Sequence, residues 1–459
     1  MNQNKYNILK FLLLLFFLFH YYKSFTFTAF LFSEQPVRYN EIGDSLQKLN
    51  LFDEATEFYN IGFQYYLEKA KKYNELGIKD SVLKYSNMFS RSKLQIIWIG
   101  ILYKKSPQMV KKEIIIIQKA LDLFPFNPSL ISDLRSHEGL NEYYMGNYEK
   151  ALVFYNTALT LIINLKDNNH KNSAGIYNNI GLVYWDKGNY DKALEYHNKA
   201  LNIKLKNEKV DELSFAKSYN NIAVVYRAKG DYEMALFYNQ KAQDIRLKIT
   251  GMNTFDVAGN YNNMATIFFD MGEDEKAIIN LFKAIEIYKK VVGENHPRLG
   301  SAYNNLSAFY LKRHDFTKAL EFGELSLKIK KNSLGNVHAE VGHTYSTLGS
   351  LYRAMDKNQK ALENYDLAME IFIKVFGNKH PMIAEVFHMK SNLYLKQNDC
   401  DAAKFLLHNA LNVFDINYEK IFKDEEFIKK AIVDPIRVLQ MLLDLSELYY
   451  NAGSGKCNE

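Results

Sequence analysis

Apolar positions along most of this chain recur at helical spacing, in pairs of stripes separated by a short polar turn. In one stretch Tyr177, Ile180, Gly181 and Tyr184 form the first stripe, and Tyr190, Ala193, Leu194 and Ala200 the second. Gly188-Asn189 lies between them, a link short enough to make the two helices antiparallel. The pattern returns as Tyr219-Asn220-Asn221-Ile222-Ala223-Val224-Val225-Tyr226 with Gly230-Asp231-Tyr232 and Ala235-Leu236, then again from Tyr261 and from Tyr303. Its central alanine falls at Ala151, Ala193, Ala235, Ala277, Ala319, Ala361 and Ala403, each step being 42 residues (193 − 151 = 42). A period held over seven units marks a repeat array, in which each helix pair buries its apolar face against its neighbours. The predicted fold is an all-α solenoid of antiparallel helix pairs. Small residues at Gly181 and Ala193 let the helix axes approach, with tyrosines expected on the flanks.

The regular units are predicted over residues 132–415. Later ones are joined by Gly293-Glu294-Asn295-His296-Pro297, Gly335-Asn336-Val337-His338 and Gly377-Asn378-Lys379-His380-Pro381. There glycine suits a left-handed helix end and proline opens the next helix. Gly43, Phe52 and Ala55 repeat the offsets of Gly181, Tyr190 and Ala193, which predicts a first repeat over residues 36–72. Residues 80–128 read as a degenerate repeat with Glu113 where an alanine is expected. After the array, residues 416–459 are predicted to supply a terminal helix, from Asp434-Pro435 to Tyr449-Tyr450, that caps the exposed apolar end, followed by a polar tail.

At the other end, Lys5 and Lys10 precede an apolar run from Phe11 to Phe19, the layout of a secretory signal peptide within residues 1–33. Retained on the protein, the span 11–32 is just long enough to cross a bilayer, with Lys23 a costly interior charge. A misassigned start codon or a buried apolar helix is the third reading. The three place the protein in a secretory or periplasmic compartment, on a membrane, or in the cytoplasm.

Composition narrows the function. With 47% hydrophobic and 14% aromatic residues the chain has ample surface to bury, which excludes wholesale disorder. A net charge of +6, spread without a basic run, does not argue for nucleic acid. Two cysteines, Cys400 and Cys457, form at most one disulfide and exclude a disulfide framework or a thiolate zinc site. No HExxH, P-loop or GxSxG motif occurs, so no catalytic residue and no cofactor is predicted. His296, His338 and His380 recur at the period of the array, but stacked helices stand about 8–10 Å apart and a metal holds its ligands at about 2 Å. They are expected to be helix-start residues, not ligands.

The pattern Trp/Tyr-x2-Ile/Leu-Gly/Ala-x2-Tyr, then Gly-x-Tyr-x2-Ala and a later alanine, resembles the tetratricopeptide repeat. The longer period, the doubled asparagine and the Gly-x2-His-Pro connector resemble the kinesin-light-chain type. The array is also similar to the repeat halves of bacterial CHAT-domain proteins, although nothing after Asp415 is long enough to be their protease. The resemblance implies a right-handed superhelix whose concave groove binds an extended peptide. It places Asn179, Asn221, Asn263 and Asn305 in that groove, where a carboxamide offers a peptide unit both donor and acceptor. Inter-repeat stacking is the competing role, and the expected one for Asn178, Asn220, Asn262 and Asn304. Lys217 and His343 are further groove candidates; Thr266, Asp186, Asp270 and Lys312 lie nearby, Asp186 and Lys312 more simply as a solvated charged face. Of the lysine-asparagine-lysine-arginine set that clamps carboxylate tails in related repeats, only Lys217 with Asn221 matches. The predicted function is a non-catalytic scaffold for a protein or peptide partner. Its rivals are a regulatory module of a separately encoded enzyme and a membrane-tethered assembly factor.

Overall fold

The computed structural model describes residues 39–48, 52–102, 107–121, 128–163, 171–206, 212–414, 416, 438, 440–445 and 447–448. The signal-peptide or membrane-anchor expectation for residues 1–33 and the expected polar tail lie outside them. Among the described residues there is no strand, and no helix is long and apolar enough to cross a membrane. The N-terminal helices are α1 (Tyr39–Lys48), α2 (Phe52–Glu75), α3 (Lys79–Leu102) and α4 (Pro107–Leu121). Seven hairpins follow: α5 (Pro128–Tyr144) with α6 (Tyr148–Ile163), α7 (Lys171–Asp186) with α8 (Tyr190–Leu205), and α9 (Glu212–Ala228) with α10 (Tyr232–Thr250). Then come α11 (Phe255–Asp270) with α12 (Asp274–Val292), α13 (Pro297–Lys312) with α14 (Phe316–Leu334), α15 (Ala339–Ala354) with α16 (Asn358–Phe376), and α17 (Pro381–Lys396) with α18 (Cys400–Val413). Together they form a right-handed α-solenoid.

Local chemistry sets the helix ends. The turn inside each hairpin needs a left-handed residue, supplied by Gly188 (φ 69°) and Gly230 (φ 79°) and, in later units, by Asp356 (φ 59°) and Asn398 (φ 60°), whose short polar side chains tolerate it. Asn189, Asp231, Asp315 and Asp399 then cap the second helix by accepting a backbone N–H three residues on. His296, His338 and His380 cap α13, α15 and α17: each Nδ1 accepts the amide two residues ahead, at 3.2, 3.1 and 3.2 Å. Helix starts are thus their role in the connectors.

Packing in the first, second and sixth hairpins follows one rule. The alanines from Ala151 to Ala403 that mark the period are fully buried. Opposite the small residue of the first helix, a ring on the second helix enters the gap. A β-carbon on Gly139 would stand 2.8 Å from the Tyr155 ring, on Gly181 2.7 Å from the His197 ring, and on Gly349 2.6 Å from the Tyr365 ring. Gly43 and Tyr59 make the same pair, at 2.5 Å. The tyrosine flanks exist as well, with Tyr184 stacked on Tyr196 at 5.4 Å, but the space left by Gly181 belongs to His197.

Between units the contact is partly polar. Lys330, 2% exposed, donates to the Glu340 carbonyl and to Thr344 Oγ1 of the next unit. Lys204 reaches the Ser214 carbonyl and Ser218, and Arg246 the Asp256 carbonyl and Asn260, in the same way. At Glu113, where an alanine was expected, the carboxylate meets Lys93 Nζ of α3 at 2.6 Å in a shielded ion pair. Beyond α18, Val438, Met441, Leu445 and Leu448 are buried against Ala384, Leu407 and Leu411, and His388 Nε2 meets Asp444 Oδ2 at 2.6 Å.

First helices of successive units touch one another, whereas second helices make no comparable contact, so the first helices form the inner, concave wall. The coil is tight enough to meet itself. His380 Nε2 lies 3.1 Å from the Tyr144 carbonyl, 236 residues away along the chain. Since His380 Nδ1 already accepts the Met382 amide, Nε2 carries the proton and donates to Tyr144. Pro381 packs on Gly146, where a β-carbon would stand 2.6 Å from Pro381 Cδ.

Candidate functional site

The concave wall is built from residues that recur along α5, α7, α9, α11, α13, α15 and α17. Asn179, Asn221, Asn263 and Asn305 occupy equivalent half-buried places on α7, α9, α11 and α13, on the faces of those helices turned from the hairpin core. Asn263 Nδ2 donates to Asn220 Oδ1 of the preceding unit at 2.7 Å, and Asn305 Nδ2 to Asn262 Oδ1 at 3.0 Å. The first asparagine of one doublet therefore holds the second asparagine of the next. A carboxamide has two N–H donors, so each tied amide keeps one N–H and its carbonyl. Asn178 departs from the line: its Oδ1 pairs with His197 Nδ1 at 3.1 Å.

One turn before the asparagines runs a second line. Lys217 stands exposed four residues before Asn221, and His343 stands four before Thr347 with its ring edge on Phe372 at 5.3 Å. Gly175 takes this place before Asn179. It is exposed, and nothing lies within 4 Å of where its β-carbon would be. Asp133 takes it before His137.

At the far end of these helices charged residues are tied between units. Arg227 Nε binds Asp270 Oδ2 at 2.6 Å. Lys312 Nζ donates to the Phe269 carbonyl at 3.3 Å and lies over that ring. Asp186 takes a hydrogen bond from Tyr143, whose hydroxyl is held well above its ordinary pKa by burial first and then by Asp186. Lys312 is exposed, in keeping with a solvated face, whereas Asp186 is half-buried because the coil brings Tyr143 of the preceding unit onto it. Tyr144, on the first unit, is raised by burial while it feels Arg298, Asp186 and Glu340, which come from the fifth, second and sixth units. Charges from several units thus lie near Tyr144.

Sequence reasoning missed the head of this groove. A cavity of about 690 Å³ lies between α3 and α5, lined by Asn87, Arg91, Gln95, Ser129, Asp133 and His137 among others. Arg91 and Gln95 precede Asp133 and His137 by one period (133 − 91 = 42; 137 − 95 = 42), so α3 continues both lines. That register was the available signal, hidden because the following helix is out of step. Among the described residues no cluster of three or more histidine, cysteine or carboxylate side chains forms a metal site.

A tetratricopeptide repeat model matches residues 131–206, 256–332 and 340–415, and a second one residues 216–248; together they span more than half of the chain. Among solved structures, the apo quorum sensor NprR from B. thuringiensis is 15% identical, with a TM-score of 0.50 over 78% of this chain and 99% of that one. BtubC from P. vanneervenii is 22% identical, with a TM-score of 0.39 over 51% and 91%. A putative kinesin light chain from Podosopora anserina, with nearly identical TPR-like repeats, is 19% identical, with a TM-score of 0.36 over 45% and 98%. No curated protein matches. The likeness to CHAT-domain repeat halves stays one of sequence pattern. The chain belongs to the tetratricopeptide repeat family, with the fold of a protein-interaction scaffold.

Proposed function

We propose that this protein is a non-catalytic scaffold whose concave groove holds an extended segment of a partner protein. The observation that carries the reading is the line of half-exposed carboxamides at Asn179, Asn221, Asn263 and Asn305. Two of them are fixed by a neighbouring asparagine in a way that leaves one N–H and one carbonyl each. A peptide unit needs that pair, and a preset amide loses little rotamer freedom on binding. Lys217 and His343, on the adjacent line, add side-chain selectivity.

Gly175→Trp tests this without touching the core. The residue is helical, has no positive φ, and opens onto empty space, so the indole projects into the groove. The variant should melt like the parent and lose at least tenfold in retention of a pool of unstructured octapeptides on the immobilised chain. Alanine at the four asparagines should lose more, at about 0.5–1.5 kcal/mol per hydrogen bond. Equal retention by the parent and both folded variants would remove the groove as the functional site.

A further inference from the structure

The cavity between α3 and α5 stands at the upstream end of both groove lines and has an unusual balance of groups. Among the described residues no hydrogen bond or ion pair reaches the Asp133 carboxylate. Its pKa is pushed up to about 6, with burial as the cause. Arg91, which lines the same cavity, is paired with Asp44 of α1 at 2.8 Å. His137 Nδ1 lies 2.6 Å from the Asp133 carbonyl, so Nδ1 carries the proton and Nε2 is left as an acceptor. Burial lowers the His137 pKa and keeps the ring neutral, which preserves that acceptor. The cavity therefore presents a carboxylate without a counter-ion, one residue pair from a free ring nitrogen.

We propose that this cavity binds the ammonium of a peptide amino terminus, with Asp133 as its counter-ion and His137 Nε2 as a second acceptor. The inference rests on the peptide-groove reading and adds a direction to it: the bound segment begins at α5 and runs toward α7 and α9. An ammonium brings three donors and one positive charge, which match what Asp133 and His137 lack. A divalent metal is a poorer match, because no third histidine, cysteine or carboxylate completes a shell. An α-ammonium lies beside the first peptide unit, so the amide of Asn179, which follows His137 on the same line, meets backbone at once. A lysine ammonium stands at the end of a four-carbon stem and does not set that register.

The experiment uses the full chain and three pools of lysine-free, C-terminally amidated octapeptides: free at the amino terminus, Nα-acetylated, and acetylated with one internal lysine. The parent should retain the free pool at least tenfold better than the acetylated one, with the lysine-bearing pool staying low. Asp133→Asn should melt at the parent's temperature or above at neutral pH and retain the free and acetylated pools alike. Equal retention of free and acetylated pools by the parent overturns the proposal and needs no variant. A preference that survives in Asp133→Asn overturns it too. Recovery by the internal lysine overturns the amino-terminal assignment. If the parent retains no pool, the groove reading falls with it, which is a separate result from equal retention.

Discussion

In the second hairpin Gly181 faces the ring of His197, and the gap is filled from within the hairpin. In the fifth, Ser307 takes the place of the first-helix glycine and spends its hydroxyl on the Ala319 carbonyl at 2.7 Å. Here the glycine is on the second helix, and the space over Gly323 is taken by Leu348 of the next unit, 2.7 Å from where a β-carbon would be. The same helix–helix contact is thus self-contained in one unit and shared in the other. A solenoid's stability is a sum of unit and interface terms, and this pair shows how the sequence shifts weight between them.

The largest effect should come from Leu348→Ala. Leu348 is 3% exposed, so its removal costs about 2–5 kcal/mol. Hydrogen exchange should rise in both α14 and α15; protection lost in α15 alone would break the comparison. Acid gives the next effect. Burial, then Lys204, pushes the His197 pKa down to about 4, so the folded state disfavours the proton that the unfolded chain accepts below about 6.5. Stability from the neutral ring is present above that value and is lost as pH falls from there toward 4, by on the order of 3 kcal/mol. Asp133, raised to about 6, acts in the opposite sense in that window. The quantity to plot is therefore the difference in chemical denaturation between parent and His197→Gln, and a flat difference from pH 7 to 4 would count against the buried ring.

Gly181→Ala should cost about 1–3 kcal/mol by overpacking that ring, with exchange rising in α7 and α8 and not in α9. Smallest of all, Asn263→Ala should lose about 0.5–1.5 kcal/mol, the worth of its bond to Asn220. A collapse of helicity there would make the asparagine line a structural spine before it is a groove.

The helix pairs were legible because alanine and glycine recur at a fixed interval, and the asparagine line because it recurs with them. The bonds that hold it were not. Asn220 meets Asn263, a separation of 43 residues, one more than the period, because neighbouring helices are staggered by a position. Periodicity records equivalence, not contact. The role of His197 was equally hidden, since the matching place holds Asn239 in the third unit, Leu281 in the fourth and Gly323 in the fifth, and only the size of the partner across the hairpin makes sense of the change. The cavity at Asp133 depends on α3 keeping register while α4 slips, which composition does not reveal.

The bond from His380 to Tyr144 has a consequence for how such a chain can change in length. An open solenoid tolerates gain or loss of a unit anywhere, because each new hairpin only displaces the end. Here the two partners stand 236 residues apart, between five and six periods of 42. Adding or deleting one hairpin between them would rotate and shift one partner by a whole unit and leave Gly146 without Pro381 to pack on. The coil is in that respect a closed loop with a fixed number of links: duplication can lengthen the array only outside residues 144–380, and within that span the unit number is set by geometry.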